Sequence, residues 1–311
     1  GTSQVAKNKV FLKEKFMLEN MEFNQAYLHS IEKLNSNNNC QTSKEKKQSI
    51  LEEFKLRYKN YRKDWHNINS VISNNKKSSE FFKKPLCVDI ETASICDLAC
   101  PHCFREYIVT PDKIMKESLY LNIMKEVKEL QIPSIKLNWR GEPLLNPAIH
   151  KFISIAKENE VIDVSINTNA TTLNEEKSMK ILNSGLDQII FSFDGGTKET
   201  YEKMRPGRFK KNTFDKIYEN IKNFCLLKKK LKRVFPITKI QMVMTKNSRN
   251  EVKNFYDLFS DLIDDVVITQ YQERGGNMDD ILDEQKKKLN DYKNENNLKM
   301  LNHYIAKADG E

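Results

Sequence analysis

Leu86-Cys87-Val88-Asp89-Ile90-Glu91 leads, through Thr92-Ala93-Ser94-Ile95, into Cys96-Asp97-Leu98-Ala99-Cys100-Pro101-His102-Cys103. The first six residues form a short, largely apolar run of the kind that makes a strand. The last eight hold half of the chain's six cysteines. A disulfide framework spaces its cysteines apart, so a cluster this tight points to a metal site. Spacings of four and three residues let one loop wrap three thiolates around one face of an iron-sulfur cubane. The fourth iron stays open, because three cysteines cannot complete a tetrahedral protein site alone. Zinc is the competing reading, with His102 or a distant cysteine as fourth ligand. His102, however, lies between two ligands and would have to fold back onto the same ion.

Toward the C-terminus the same kind of run recurs at Ser134–Trp139, Asp163–Asn167, Gln188–Phe193, Thr238–Met244 and Asp265–Gln270, each followed by a helical stretch. Helix starts are predicted at Asn146-Pro147, at Asn174 before Glu175-Glu176, and at Thr197 before Glu199, with Gly185 closing the helix that ends near Asn183. Six β/α units imply a parallel sheet, as a doubly wound open sheet or as a partial barrel. In either, chemistry belongs at the C-terminal ends of the strands. Cys87 and Cys225 read as packed thiols rather than ligands.

Toward the N-terminus the pattern becomes helical. Leu12, Phe16, Met21, Tyr27, Ile31 and Leu34 trace one apolar stripe, and Asn37-Asn38-Asn39 interrupts it. A second helix starts at the capping box of Thr42 and Glu45, with Ile50, Phe54, Tyr58, Tyr61, Trp65, Ile68 and Ile72 on one face. The domains are therefore expected as an extension over 1–84, a catalytic core over 85–276 and a helical segment over 277–311. Of the formal net charge of +9, +8 resides in the first 84 residues, so the core is nearly neutral. The extension reads as a solvated Lys-rich surface that covers one end of the core, or as an arm for a partner. With no run of about 18 uncharged apolar residues and no signal-peptide pattern, no membrane partner is expected and the cytoplasm is the expected compartment.

Cys96-x3-Cys100-x2-Cys103 directly after the first strand resembles the signature of the radical S-adenosylmethionine (SAM) superfamily. Arg140-Gly141-Glu142-Pro143 is similar to that family's GGEP motif, with Arg140 in place of the first glycine. Asn167-Thr168-Asn169-Ala170 resembles its T-N-G segment, with Ala170 in place of the glycine. Phe191-Ser192-Phe193-Asp194-Gly195, Tyr201 and Arg205-Pro206-Gly207 resemble the S-x-D-G...Y...R-P-G stretch of the branch that carries a SPASM domain. The resemblance covers about Pro85 to Gly276 and implies an α/β fold, a partial (β/α)6 TIM-like barrel with the N-terminal helices added to it. It implies Cys96, Cys100 and Cys103 as ligands of a 4Fe-4S cluster, and Gly141, Glu142, Asn169, Ser192 and Arg205 as the SAM site. Glu142 would face the ammonium, and Ser192 and Arg205 the carboxylate and ribose.

The implied activity is reductive cleavage of SAM to a 5'-deoxyadenosyl radical that takes hydrogen from a peptide or sugar-type substrate. An external one-electron donor such as flavodoxin or ferredoxin would supply the electron. Glu91, Gln241, Gln270 and Tyr271 are candidates to face the substrate. An RNA-modifying enzyme of the same family, and a non-catalytic scaffold that keeps the cluster, are the alternatives. The near-neutral core argues against the first, so no nucleic acid is expected, and the intact Cys96, Cys100, Cys103, Glu142 and Ser192 set argues against the second. No cysteine follows Cys225, whereas the SPASM branch carries auxiliary clusters. We therefore expect a longer protein with an auxiliary domain beyond Glu311.

Overall fold

A computed structural model describes residues 56–65, 67, 84–107 and 111–271. The expected first helix and the expected segment 277–311 lie outside the described residues.

Six strands form one all-parallel sheet in the order β1 (Cys87–Asp89), β2 (Ser134–Lys136), β3 (Asp163–Thr168), β4 (Gln188–Ser192), β5 (Ile237–Met244) and β6 (Asp265–Gln270). Spatial order equals chain order, which removes the doubly wound alternative, because that fold reverses direction at a switch point. Among the described residues the sheet does not close: β1 and β6 each pair on one side only. Pairing starts at Asp163 toward β2 but at Ser165 toward β4, and at Ile237 toward β4 but at Lys239 toward β6. Such two-residue offsets tilt the strands and curve the sheet as in a barrel.

The connecting helices are α1 (Glu117–Glu129), α2 (Ile149–Glu158), α3 (Glu175–Leu182), α4 (Lys198–Met204), α5 (Phe214–Lys230) and α6 (Val252–Phe259). Alternate strand residues face them: Ile135 and Leu137, Val164 and Ile166, Ile189 and Phe191, Ile240 and Met242 are all fully buried. Tyr120, Phe152, Ile217, Ile221, Phe224 and Phe259 complete this layer from the helix side. The intervening strand residues, among them Lys136, Ser165, Asn167, Gln188, Ser192 and Gln241, are half-buried and line the concave face. Parallel strands covered on both sides read as unbroken apolar runs. Here one face stays polar because it borders a cavity.

Two of the three predicted helix starts hold as stated: Asn174 Oδ1 accepts from Lys177 N–H, and Thr197 Oγ1 from Thr200 N–H. The third does not. α2 begins at Ile149 rather than Pro147, because the Asn146 side chain turns inward, its Nδ2 donating to the Thr92 carbonyl and its Oδ1 accepting from Ala148 N–H. Gly185 follows α3 with φ +87°, as its place after a helix end requires.

Residues 56–65 are helical and lie against the N-terminal end of β3. Tyr58 and Tyr61 are buried with Ile162, while Trp65 keeps 39% of its surface exposed. Tyr61 Oη donates to Asp163 Oδ2 at 3.1 Å, and Arg57 Nη2 donates to the Glu160 carbonyl. This part of the extension thus covers the end of the sheet opposite the cysteine loop. No helix among the described residues is long and apolar enough to cross a membrane.

Candidate active site

Beyond β1, the loop carrying Cys96, Cys100 and Cys103 folds over the C-terminal ends of the strands and forms one wall of a cavity of about 680 Å³. Two segments hold this loop. Asn169 Nδ2 donates to Asp97 Oδ1 at 2.9 Å and Thr171 Oγ1 to Asp97 Oδ2 at 2.6 Å, while Arg208 N–H donates to the Asp97 carbonyl. Leu98 bridges Gly207 antiparallel. Asn169 Nδ2 also lies 3.9 Å from Cys96 Sγ, within reach of a weak hydrogen bond to sulfur. Burial pushes the thiols of Cys96 and Cys100 up to about 12; Glu142 adds to the rise at Cys96 and Arg205 opposes it at Cys100. A buried thiolate so disfavoured alone is stabilised when a metal neutralises it.

Cys96, Cys100 and Cys103 all line this cavity. A zinc ion needs donors that converge on one point. Among the described residues no group of three or more His, Cys, Asp and Glu side chains does so. Thiolates that each hold a different iron of a cubane need only share a wall, and these three do. His102 is engaged elsewhere: its Nε2 lies 3.1 Å from Asp194 Oδ2.

Gly141 and Glu142 close the neighbouring wall. A Cβ on Gly141 would lie 2.1 Å from the Ala93 carbonyl oxygen, so only glycine lets this segment approach the loop after β1. Glu142 is buried, with Oε1 accepting from Leu144 N–H at 2.9 Å and Thr168 Oγ1 at 2.6 Å, and Oε2 from Asn169 N–H at 2.7 Å. Burial pushes its carboxyl up to about 7 against those hydrogen bonds. Arg140 fits without glycine because its guanidinium turns to Glu91, with Nη2 to Oε2 at 2.7 Å. Glu91, a substrate candidate from sequence, is thereby occupied, whereas Gln241 and Tyr271 do line the cavity.

Ser192, at the end of β4, lines the cavity and its hydroxyl has no partner among the described residues. Asn169 and Arg205 also line it, but both are committed. Asn169 Oδ1 accepts from Thr171, and Arg205 donates through Nε at 2.8 Å and Nη2 at 2.7 Å to Asp194 Oδ2. Asp194 is fully buried and also accepts from Val243 N–H. Although burial opposes it, the Arg205 guanidinium and His102 hold this carboxyl below the usual range. Asp194 therefore ties β4, β5, the Arg205 loop and the cysteine loop together, a role the sequence reading did not assign.

Lys136 and Asn167 were also missed. Both line the cavity; the Lys136 ammonium acts electrostatically on the Cys87 thiol without a hydrogen bond or ion pair among the described residues, and Asn167 Oδ1 is a buried acceptor with no donor among them. Their signal was the alternation of polar residues on β2 and β3. Ala170, in place of a glycine, sits at φ +60°, the conformation a glycine there would adopt freely.

The model of the radical SAM superfamily matches residues 90–259. Probable GTP 3',8-cyclase of Methanothermobacter marburgensis is 32% identical over 120 residues, 38% of this chain and 39% of that protein. The enzyme of that name from Saccharolobus islandicus is 28% identical over 182 residues, 58% of this chain and 55% of that protein. Among solved structures, Streptococcus suis SuiB bound to S-adenosylmethionine superposes with TM-score 0.53 at 18% identity, over 93% of this chain and 61% of that one. His-tagged anSMEcpe with bound AdoMet gives 0.51 at 23% identity, over 62% and 54%. The chain spans less than two thirds of the length of each of these proteins. The two superpositions carry the fold, the open six-stranded barrel already described. Since the family match spans more than half of the chain and contains the cysteine loop, the Gly141-Glu142 wall and the Asp194 junction, this protein belongs to the radical SAM superfamily, whose enzymes use a 4Fe-4S cluster and SAM.

Proposed function

We propose that residues 85–276 form a radical SAM catalytic unit that takes a hydrogen atom from a polar substrate of the peptide or sugar type. The observation that carries this reading is the single cavity that unites the three thiols and the Glu142 carboxyl with uncommitted polar groups on β2, β3 and β4. Cys96, Cys100 and Cys103 hold the cluster. When bound, the cluster supplies the electron that splits the SAM sulfonium and so yields the hydrogen-abstracting radical.

The chain's own groups do the positioning. Gly141 brings the backbone close to the cysteine loop. Glu142 Oε2, which has one protein donor, accepts from the SAM ammonium. The Ser192 hydroxyl meets the carboxylate or ribose. Arg205 contributes only the edge of its guanidinium that Asp194 leaves over. Asn169 works as a strut, joining Glu142 to Asp97. The chain's part in water exclusion is the wall of Phe104, Val243 and Leu98 that borders the cavity.

A second reading has two observations in its favour: Lys136 in the cavity lining suits an anionic substrate, and the curated relatives are named for GTP. An external reductant is needed in either case. Label transfer tests both. Deuterated peptide or aminosugar candidates, and deuterated GTP, are incubated with reconstituted enzyme, dithionite and SAM. Deuterium in 5'-deoxyadenosine from a peptide or sugar supports the first reading. Deuterium from GTP alone overturns it in favour of the second.

A further inference from the structure

We infer that residues 206–211, outside the cavity, are the docking site of a small acidic one-electron carrier protein that reduces the cluster. This rests on the radical SAM reading of the same cysteine loop. Pro206-Gly207-Arg208-Phe209-Lys210-Lys211 runs antiparallel to that loop. Ala99 N–H donates to the Pro206 carbonyl at 2.9 Å and Arg208 N–H to the Asp97 carbonyl at 2.8 Å. The Arg208 side chain donates to the carbonyls of Cys96 and Leu98. The strap is therefore bonded directly to the backbone that bears the first ligand.

Its outer surface has the chemistry of a transient electron-transfer contact. Phe209 exposes 67% of its surface, the most among the large hydrophobic side chains described. Lys210 and Lys211 beside it are exposed. Lys210 has no partner among the described residues, and Lys211 has only Glu202 at 3.8 Å. Lys210 and Lys211 are the exposed charges of the strap, since Arg205 is buried against Asp194 and Arg208 is bonded to the cysteine loop. An apolar side chain beside charged ones is the anatomy of a small protein interface, and the two exposed lysines favour an acidic partner.

Gly207 holds this shape, since a Cβ there would lie 1.7 Å from the Lys210 carbonyl oxygen. None of residues 206–211 lines the cavity, so a carrier bound here leaves SAM and substrate in place. In the encounter one electron passes from carrier to cluster and the carrier is left one electron more oxidised. No bond forms or breaks.

The test compares the full chain with Phe209→Ser and with Lys210→Glu/Lys211→Glu. Purified flavodoxin is titrated into each by calorimetry at low salt and at about 0.3 M salt, where surface charge is screened. Stopped-flow absorbance then follows reduction of the reconstituted cluster by reduced flavodoxin and, in parallel, by dithionite. Both variants are expected to bind flavodoxin at least about tenfold more weakly, and the charge variant to lose the salt dependence. Their reduction by flavodoxin slows to match, while dithionite reduction and SAM affinity stay at the original values. Unchanged flavodoxin affinity and rate overturn the docking site. So does a variant that loses affinity for an RNA oligomer but none for flavodoxin. If dithionite fails to reduce the original protein, the cluster reading itself fails, and the docking site with it.

Discussion

Cys96, Cys100 and Cys103 share one wall, and their spacing is the feature that most constrains this protein. Replacing all three by Ala is expected to take iron from about four per reconstituted chain to none and to remove the electron paramagnetic resonance signal of the reduced state. Retention of iron in the triple variant would refute the ligand assignment. Glu142 lends itself to a quantitative test. Glu142→Gln should leave the cluster absorbance intact and weaken SAM binding by about 1.5–3 kcal/mol, roughly 10- to 150-fold in Kd. A pH dependence follows from the same group. The folded carboxyl keeps its proton to about 7, whereas the unfolded chain loses it near the ordinary 4.5. Without ligand, stability therefore falls as pH rises across that window. SAM affinity should rise over its upper part, as the carboxylate appears, and Glu142→Gln should flatten that profile in calorimetry.

Among the elements, the α2 to β3 and β4 packing holds an ion pair in the core. Lys157 Nζ lies 2.5 Å from Asp187 Oδ2 and also donates to the Ile162 carbonyl, while Asp187 accepts from Val164 N–H. Burial raises the Asp187 carboxyl and Lys157 opposes the rise. Lys157→Met leaves that carboxylate buried without its cation, at an expected cost of about 3–5 kcal/mol in urea unfolding. The deficit should grow from acid toward neutral pH, because the unfolded chain ionises Asp187 before the folded one does. A loss under about 1 kcal/mol at neutral pH would show that Lys157→Met does not leave Asp187 as an uncompensated buried charge.

For the molecule as a whole, the helical extension and the cavity sit at opposite ends of the sheet. Tyr61 is 4% exposed and hydrogen-bonded to Asp163. Tyr61→Ala is expected to cost about 3–5 kcal/mol in thermal or urea unfolding, and Tyr61→Phe about 1 kcal/mol. SAM affinity should not change in either variant. A parallel loss of SAM affinity would mean that the extension communicates with the cavity across the barrel.

The sequence alone determined the six strands and their parallel direction and put Cys96, Cys100 and Cys103 in one short loop, because local spacing and period-two alternation are written into consecutive residues. Glycine at 141 was legible for the same reason, as part of a contiguous motif. Periodicity by itself could not determine that the sheet winds in chain order without reversal, since it constrains each strand and not its neighbours; the motif resemblance implied that winding, and the sheet has it. Nor could the sequence show that Glu91 is spent on Arg140, that Asp194 joins His102 to Arg205, or that Lys136 lines the cavity. Each of these depends on which face of a pleat points inward and on atoms far apart in the chain meeting at 3 Å or so. Packing of the apolar strand faces under the helices turned the polar faces toward the cysteine loop. Only that tertiary arrangement converted separate motifs into one cavity.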